Sequence, residues 1–239
     1  DITNLKQEEK KLLEEDQRKN LFLATLAHEL RNPLAPLSNG LHLLEDSGLN
    51  HATIDKVHKM MTRQLNHLVR LVDDLMEVSR VTRGIVNLRK ERIDLTEVLL
   101  NAIETSQPLI KNGKHQLETN ISSQPLILEG DKIRLTQIVT NILNNAAKYT
   151  LEGGHICLSA SRKGTDAIVS IRDNGLGIAV EAQPKIFDMF YQIKQSDDRA
   201  QGGLGIGLTL VKSLIDMHGG NVEIYSKGVN QGSEFILRL

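Results

Sequence analysis

A histidine on the outer side of a helix, followed directly by a carboxylate, is equipped for nucleophilic chemistry. His28 and Glu29 form such a pair, and Asn32 lies one helical turn further on the same side. Leucines recur at 23, 26, 30, 34, 37, 41 and 44 in steps of three and four, which predicts a helix with one apolar seam. With Leu23 and Leu30 at seam position a, His28 falls at f, farthest from the core. An exposed imidazole is a nucleophile near neutral pH, and a neighbouring carboxylate can orient the ring and take its other proton. The competing reading is a solvated surface histidine. Pro33 weighs against it, because a proline expected to interrupt the helix beside this group is costly.

A second set of polar residues lies on a helix expected over 132–149. Ile138, Val139, Ile142 and Leu143 mark its buried side, while Asn141, Asn145 and Lys148 form a stripe at i, i+4 and i+7. Asparagine oxygens are hard ligands suited to Mg²⁺, and a lysine can neutralise phosphate. An exposed asparagine-rich face would look the same. A strand expected over 167–173 ends in Asp173-Asn174-Gly175-Leu176-Gly177. Two glycines at this spacing let a backbone approach a ligand, and an acid at a strand end can accept a hydrogen bond from an exocyclic amine. Gly202-Gly203-Leu204-Gly205-Ile206-Gly207 opens another helix, an arrangement suited to phosphate. No Gly-Lys-Ser/Thr follows and no strand directly precedes it, so it is neither a Walker loop nor a Rossmann fingerprint. The polar tract 192–201 reads as a mobile lid.

The elements that must carry these groups follow from periodicity. A turn-forming stretch at 46–50 separates the first seam from a second one at Ile54, Val57, Met61, Leu65, Leu68, Val72 and Leu75. The expectation is a helical hairpin over roughly 3–46 and 52–83. Two helices cannot bury two such seams, and pairing with a second copy into a four-helix bundle would. Residues 1–19 extend the first seam as a weak coiled coil with Glu9, Asp16 and Lys19 in register, so the chain begins inside a helix and reads as a fragment. After Gly84, strand-like runs at 85–88, 116–121, 126–129, 155–161, 167–173, 221–226 and 234–239 alternate with helical patterns at 95–110, 132–149 and 206–218. That mixture predicts an α+β two-layer sandwich with helices on one face of a sheet. The expected domains are thus a coiled-coil linker (1–19), an all-α hairpin (20–84) and a sandwich (85–239).

Composition narrows the function. Twenty-nine basic and 30 acidic residues among 239 give a net charge of -1, which argues against a nucleic-acid binder. Cys157 is the single cysteine, so an internal disulfide or cysteine zinc site is excluded and a reducing, cytoplasmic compartment fits. No apolar run approaches the ~18 residues of a membrane span. Phe22 is the lone aromatic residue before Tyr149, so aliphatic side chains must build the front of the protein, as in helical bundles.

Taken in order, the motifs resemble the catalytic core of a bacterial-type sensor histidine kinase. Residues Leu26-Ala27-His28-Glu29-Leu30-Arg31-Asn32-Pro33-Leu34 resemble the H box, and Asn141-Ile142-Leu143-Asn144-Asn145-Ala146-Ala147-Lys148-Tyr149-Thr150 the N box. Asp173-Asn174-Gly175-Leu176-Gly177-Ile178 resembles the first glycine box, Ile186-Phe187-Asp188-Met189-Phe190 the phenylalanine box, and Gly203-Leu204-Gly205-Ile206-Gly207-Leu208 the second glycine box. The resemblance implies a dimerisation and histidine-phosphotransfer hairpin followed by a Bergerat-type ATP-binding sandwich. It implies that His28 takes the γ-phosphoryl group of ATP and passes it to an Asp of a receiver domain, with Glu29 as general base. Asn32 would position water when the enzyme runs as a phosphatase. Asn145 would be the Mg²⁺ ligand, with Asn141 and Lys148 near the phosphates and Tyr149 lining the nucleotide pocket. Asp173 would hold the adenine amine, with Gly175, Gly177, Ile178 and Phe190 around the base. Gly203, Leu204, Gly205, Gly207 and Leu208 would form the lid hinge, and Lys194 or Arg199 its basic residue.

Two other functions compete. A same-fold ATPase without phosphohistidine would normally carry a glutamate in the N-box helix, where Gln137 and Asn141 stand. A silent ATP-binding dimeric scaffold would show decayed motifs, and none has decayed. His42, His51, His58 and His67 have no i, i+4 pairing and read as solvated rather than metal ligands. His115 and His155 show no evident partner, and His218 before Gly219-Gly220 reads as the last turn of a helix.

Overall fold

The computed structural model describes residues 2–45, 50–82, 87–193 and 204–239, and the chain falls into two compact units. The first, which includes residues 1–77, contains two long helices. Helix α1 spans Ile2–Leu44, and α2 spans His51–Thr82. The expected interruption at Pro33 does not occur: α1 runs through both Pro33 and Pro36. A proline removes one donor and crowds one carbonyl, and the long flanking helix absorbs that loss. Val57 and Leu71 are buried, and at Gly40 the α1 backbone comes so close to α2 that a Cβ would lie 2.8 Å from Met61 Cγ. Leu23, Leu34, Leu41, Leu65, Val72 and Met76 nevertheless stay exposed, so the hairpin alone leaves much of its apolar surface uncovered. Among the described residues no helix is long and apolar enough to cross a membrane.

The second unit is a two-layer sandwich. Its elements are β1 (Glu91–Asp94), α3 (Leu95–Asn112), β2 (Gln116–Ile121), β3 (Ile127–Gly130), α4 (Lys132–Tyr149), β4 (His155–Lys163), β5 (Asp166–Asp173), a short 3-10 helix (Gln183–Lys185), α5 (Gly207–His218), β6 (Asn221–Tyr225) and β7 (Ser233–Arg238). Five strands form one sheet in the order β2-β4-β5-β7-β6; β2 and β4 run parallel and every other pair is antiparallel. Strands β1 and β3 pair in a small separate sheet. Strand β1 is a feature that periodicity did not reveal. Of the strand expected at 85–88, residues 85–86 lie outside the described residues and 87–88 are irregular.

Period-two burial builds the sheet's inner face from Ile156, Leu158 and Ala160 on β4, Ala167, Val169 and Ile171 on β5, and Phe235 and Leu237 on β7. Helix α4 packs between α3 and α5 and against β5, burying Leu135, Ile138, Val139, Ile142, Leu143, Ala146 and Ala147. Its start is fixed by Asp131, whose carboxylate accepts hydrogen bonds from the Ile133 and Arg134 N–H groups. The α5 C-terminus ends on Gly219 in the left-handed conformation at φ 84°.

Candidate functional site

The expected site residues fall into two groups, one on α1 and one from α4 onward. On α1, His28 and Glu29 differ sharply in environment: their side chains are 71% and 11% exposed. The His28 Nδ1 atom lies 3.8 Å from Glu29 Oε1 and 3.3 Å from the Asn32 side-chain nitrogen. Both neighbours therefore address the same ring nitrogen. The other nitrogen of a 71%-exposed imidazole is left for chemistry.

The second group begins on α4. The apolar stripe that buries Ile142, Leu143, Ala146 and Ala147 leaves Asn141 and Asn145 half-buried and Lys148 exposed. Among the described residues neither Asn141 nor Asn145 has a side-chain hydrogen-bond partner, so both amide oxygens are available. Lys148 Nζ lies 5.1 Å from the Tyr149 ring centroid, and Tyr149 is 38% exposed.

Strand β5 supplies the acid. Asp173 continues the inward alternation of Ala167, Val169 and Ile171, so a carboxylate sits where the next apolar side chain would have been, 6% exposed. Its Oδ1 accepts hydrogen bonds from Gly175 N–H at 2.8 Å and Ser233 N–H at 3.3 Å, and its Oδ2 accepts one from the Ser233 hydroxyl at 2.5 Å. Ser233 is a residue that sequence reasoning missed. It sits opposite Asp173 in the β5–β7 register and shares the parity of Phe235 and Leu237.

The turn after Asp173 lies directly on the end of α4. Leu176 N–H donates to the Tyr149 carbonyl at 3.0 Å, and any Cβ on Gly175 would run into that carbonyl. Gly177 adopts φ 62°, and a Cβ there would strike the Gly228 carbonyl. Ile178 N–H donates to the buried Ser226 hydroxyl at 3.0 Å. Further on, Phe190 holds φ 66°, a conformation that costs a bulky residue roughly 1–3 kcal/mol. Its N–H donates to the Gly205 carbonyl at 3.2 Å, which ties the phenylalanine-rich segment to the glycine-rich one. Leu204 is buried and Leu208 half-buried, while Gly207 opens α5 with nothing within 4 Å of the place a Cβ would take. Gly203, Lys194 and Arg199 lie outside the described residues.

Two histidines read as unpartnered or merely terminal have structural work. His115 is buried, with Nε2 2.9 Å from the Ala147 carbonyl. His218 accepts the Asp131 N–H on Nε2 at 3.0 Å and lies 2.7 Å from the Leu214 carbonyl through Nδ1. Burial holds its pKa below the usual histidine value, aided by Lys90 and opposed by the Leu214 hydrogen bond and by Asp131. Among the described residues no cluster of three or more His, Cys, Asp or Glu could hold a metal.

Comparison with known proteins identifies the two units. Residues 18–84 match the His Kinase A (phospho-acceptor) domain, and residues 130–239 match the histidine kinase-, DNA gyrase B- and HSP90-like ATPase family. The adaptive-response sensory kinase SasA of Thermosynechococcus vestitus is 32% identical over 95% of this chain and 61% of its own length. Other curated sensor kinases match nearly the whole chain, which spans about a third of their length. Full-length ShkA, solved in complex with AMPPNP, is 29% identical with a TM-score of 0.67, covering 92% of this chain and 45% of its own. The fold is also that of histidine kinase ThkA in its complex with the response regulator protein TrrA, with a TM-score of 0.68 at 23% identity over 90% of this chain and 60% of that one. The chain thus belongs to the sensor histidine kinases, as a catalytic core in which a histidine phospho-acceptor domain precedes an ATPase-family domain.

Proposed function

We propose that this chain transfers the γ-phosphoryl group of ATP to His28 and passes it on to an aspartate of a response-regulator receiver domain. The observation that carries this reading is the exposed His28 imidazole with the largely buried Glu29 carboxylate 3.8 Å from Nδ1. With its proton on Nδ1, the ring keeps a lone pair on Nε2 for attack. The Nε2–phosphorus bond forms as the bond from phosphorus to the β,γ-bridging oxygen breaks, and ADP leaves with that electron pair. Glu29 takes the Nδ1 proton, so the ring ends without a positive charge. The Asn32 amide nitrogen, a donor, bonds Nδ1 in the other tautomer, with the proton on Nε2, and so gives way to Glu29 in the attacking form; in the phosphatase direction Asn32 positions water against the phosphorylated receiver.

On the nucleotide side, Asp173 accepts the adenine amine, a role suited to a carboxylate already aligned by three donors. Gly175, Gly177 and Ile178 form the wall beside the base, with Tyr149 and Phe190 against it. Asn141 and Lys148 address the phosphates. Gly203, Leu204, Gly205, Gly207 and Leu208 form the hinge around them, and the open space at Gly207 suits a phosphate at a helix N-terminus. Asn145 would hold Mg²⁺: its half-buried amide oxygen has no competing partner among the described residues, and one neutral oxygen suits an ion that keeps most of its waters. When bound, Mg²⁺ neutralises phosphate charge. A homodimer covers the exposed seam of Leu23, Leu34, Leu41, Leu65 and Val72. The cytoplasm, where ATP is available, is the compartment for this segment.

The test is incubation of this chain with Mg²⁺ and γ-labelled ATP. The expected label is acid-labile and alkali-stable and disappears in His28→Gln. Label that persists in that variant, or ATP binding without any label in the parent chain, overturns the proposal.

A further inference from the structure

The turn that follows Asp173 is held by two side chains that no motif includes. Ser226, at the end of β6, is 7% exposed. Its hydroxyl accepts the Ile178 N–H at 3.0 Å and donates to the Gly232 carbonyl at 2.7 Å. Its own carbonyl accepts a hydrogen bond from Gln183 Nε2 at 2.8 Å, and the same amide nitrogen donates to the Ile178 carbonyl at 3.1 Å. Ile178 is therefore gripped at both of its backbone polar groups, one by each side chain.

The far end of this clamp reaches the acid. Gly232 N–H donates to the Gly175 carbonyl at 3.1 Å, and the next residue, Ser233, gives its N–H and hydroxyl to Asp173. A single hydroxyl, that of Ser226, thus links the Gly177–Ile178 end of the turn to the strand that aligns the carboxylate. Asn230 N–H adds a bond to the Leu176 carbonyl at 2.6 Å. A glycine-rich turn has little rigidity of its own, and Gly175 and Gly177 contribute no side chains to fix it. The shape of the wall beside the base must come from these outside bonds.

We infer that Ser226 and Gln183 are positioning residues that set adenine affinity and specificity by fixing the Gly175–Ile178 turn relative to Asp173. Both bond to the turn beside Asp173, so their loss acts on the base end of the nucleotide. The inference rests on the proposal that Asp173 receives the adenine amine, and it adds two residues and a division of labour. Ser226 joins the turn to the Asp173 partner strand, while Gln183 pins the turn from outside.

The experiment measures Mg-ATP and Mg-ITP affinity of this chain by calorimetry, with the thermal midpoint recorded for each variant. ITP lacks the exocyclic amine, so the ATP-to-ITP preference reads base recognition alone. Gln183→Met keeps the length and removes both donated bonds; Ser226→Ala removes the hydroxyl; Ser226→Thr restores it. The expected result is a loss of about tenfold in ATP affinity for Gln183→Met and Ser226→Ala, a fall in ATP-to-ITP preference, and recovery in Ser226→Thr. In autophosphorylation the half-saturating ATP concentration should rise more than the maximal rate falls. Should Ser226→Ala fail to fold, Gln183→Met carries the test. Unchanged preference in folded Gln183→Met, or equal losses for ATP and ITP, overturns the inference. A parent chain that shows no preference for ATP over ITP, or keeps it in Asp173→Asn, overturns the adenine-site reading itself.

Discussion

Asp131 is the point at which the sandwich starts the helix that carries the asparagine stripe, and its replacement has a calculable cost. One carboxylate oxygen caps α4 by accepting from Ile133 N–H at 3.1 Å and Arg134 N–H at 3.2 Å; the other accepts from Arg89 N–H at 3.0 Å. Loss of an N-cap costs about 1 kcal/mol, and loss of a hydrogen bond to a charged group about 1.5–3 kcal/mol. Asp131→Ala should therefore destabilise the sandwich by about 3 kcal/mol, a fall in thermal midpoint of roughly 6–12 °C for a domain of this size. Asp131→Asn keeps the cap oxygen but turns an amide N–H₂ toward Arg89, so about half of the loss should remain. The assay is built into the composition. There is no tryptophan, and all three tyrosines (Tyr149, Tyr191 and Tyr225) lie in the second unit, so tyrosine fluorescence follows that unit alone. A loss below about 0.5 kcal/mol in Asp131→Ala, or an equal loss in both variants, would refute the argument.

Other predictions follow from the same geometry. Unfolded histidine binds a proton near pH ~6.5, whereas folded His218 does so at lower pH. Between those values the unfolded chain holds the extra proton, so stability should be complete above about pH 6.5 and fall as pH drops toward the folded value. His218→Leu should flatten that slope in urea titrations at successive pH values, and an unchanged slope would contradict it. Gly207→Ala should leave stability unchanged or raise it by about 0.4–1 kcal/mol, because its Cβ meets nothing, yet weaken ATP binding. Gly177→Ala should instead cost at least about 1 kcal/mol, as its φ of 62° and the Gly228 carbonyl both oppose a side chain. Calorimetry with and without nucleotide separates these two outcomes. Glu29→Gln should slow autophosphorylation by about 10²–10⁴-fold while ATP affinity holds, and a rate within threefold of the parent chain would remove Glu29 as the base.

Much of the fold was legible because burial leaves a period in the sequence. Helix α4 spans the 132–149 expected from its apolar side of Ile138, Val139, Ile142 and Leu143. Strand β2 likewise matches its expected span. Strand β1 was invisible, because Glu91-Arg92-Ile93-Asp94 offers a single buried apolar residue and its pairing with β3 is long-range. Pro33 misled in the other direction, since a local helix breaker was overruled by a 43-residue helix. The site divides in the same way. His28 and Asn32 share a helix face, Glu29 is the residue next to His28, and all three can be found from spacing. Asp173 could be found from its place at the end of an alternating strand. Ser233, Ser226 and Gln183 could not, because their relation to Asp173 depends on cross-strand register and on turns that bring residues 173–183 and 226–233 together. Once register is known, Ser233 follows from parity with Phe235 and Leu237.

The central claim is that one histidine of eight is the phosphoryl acceptor. Peptide mapping by mass spectrometry, kept at alkaline pH after incubation with Mg²⁺ and ATP, tests it most directly. The account predicts one added phosphoryl group, located on His28. A phosphoryl group on His42, His58, His67 or any other histidine, with His28 unmodified, would contradict it.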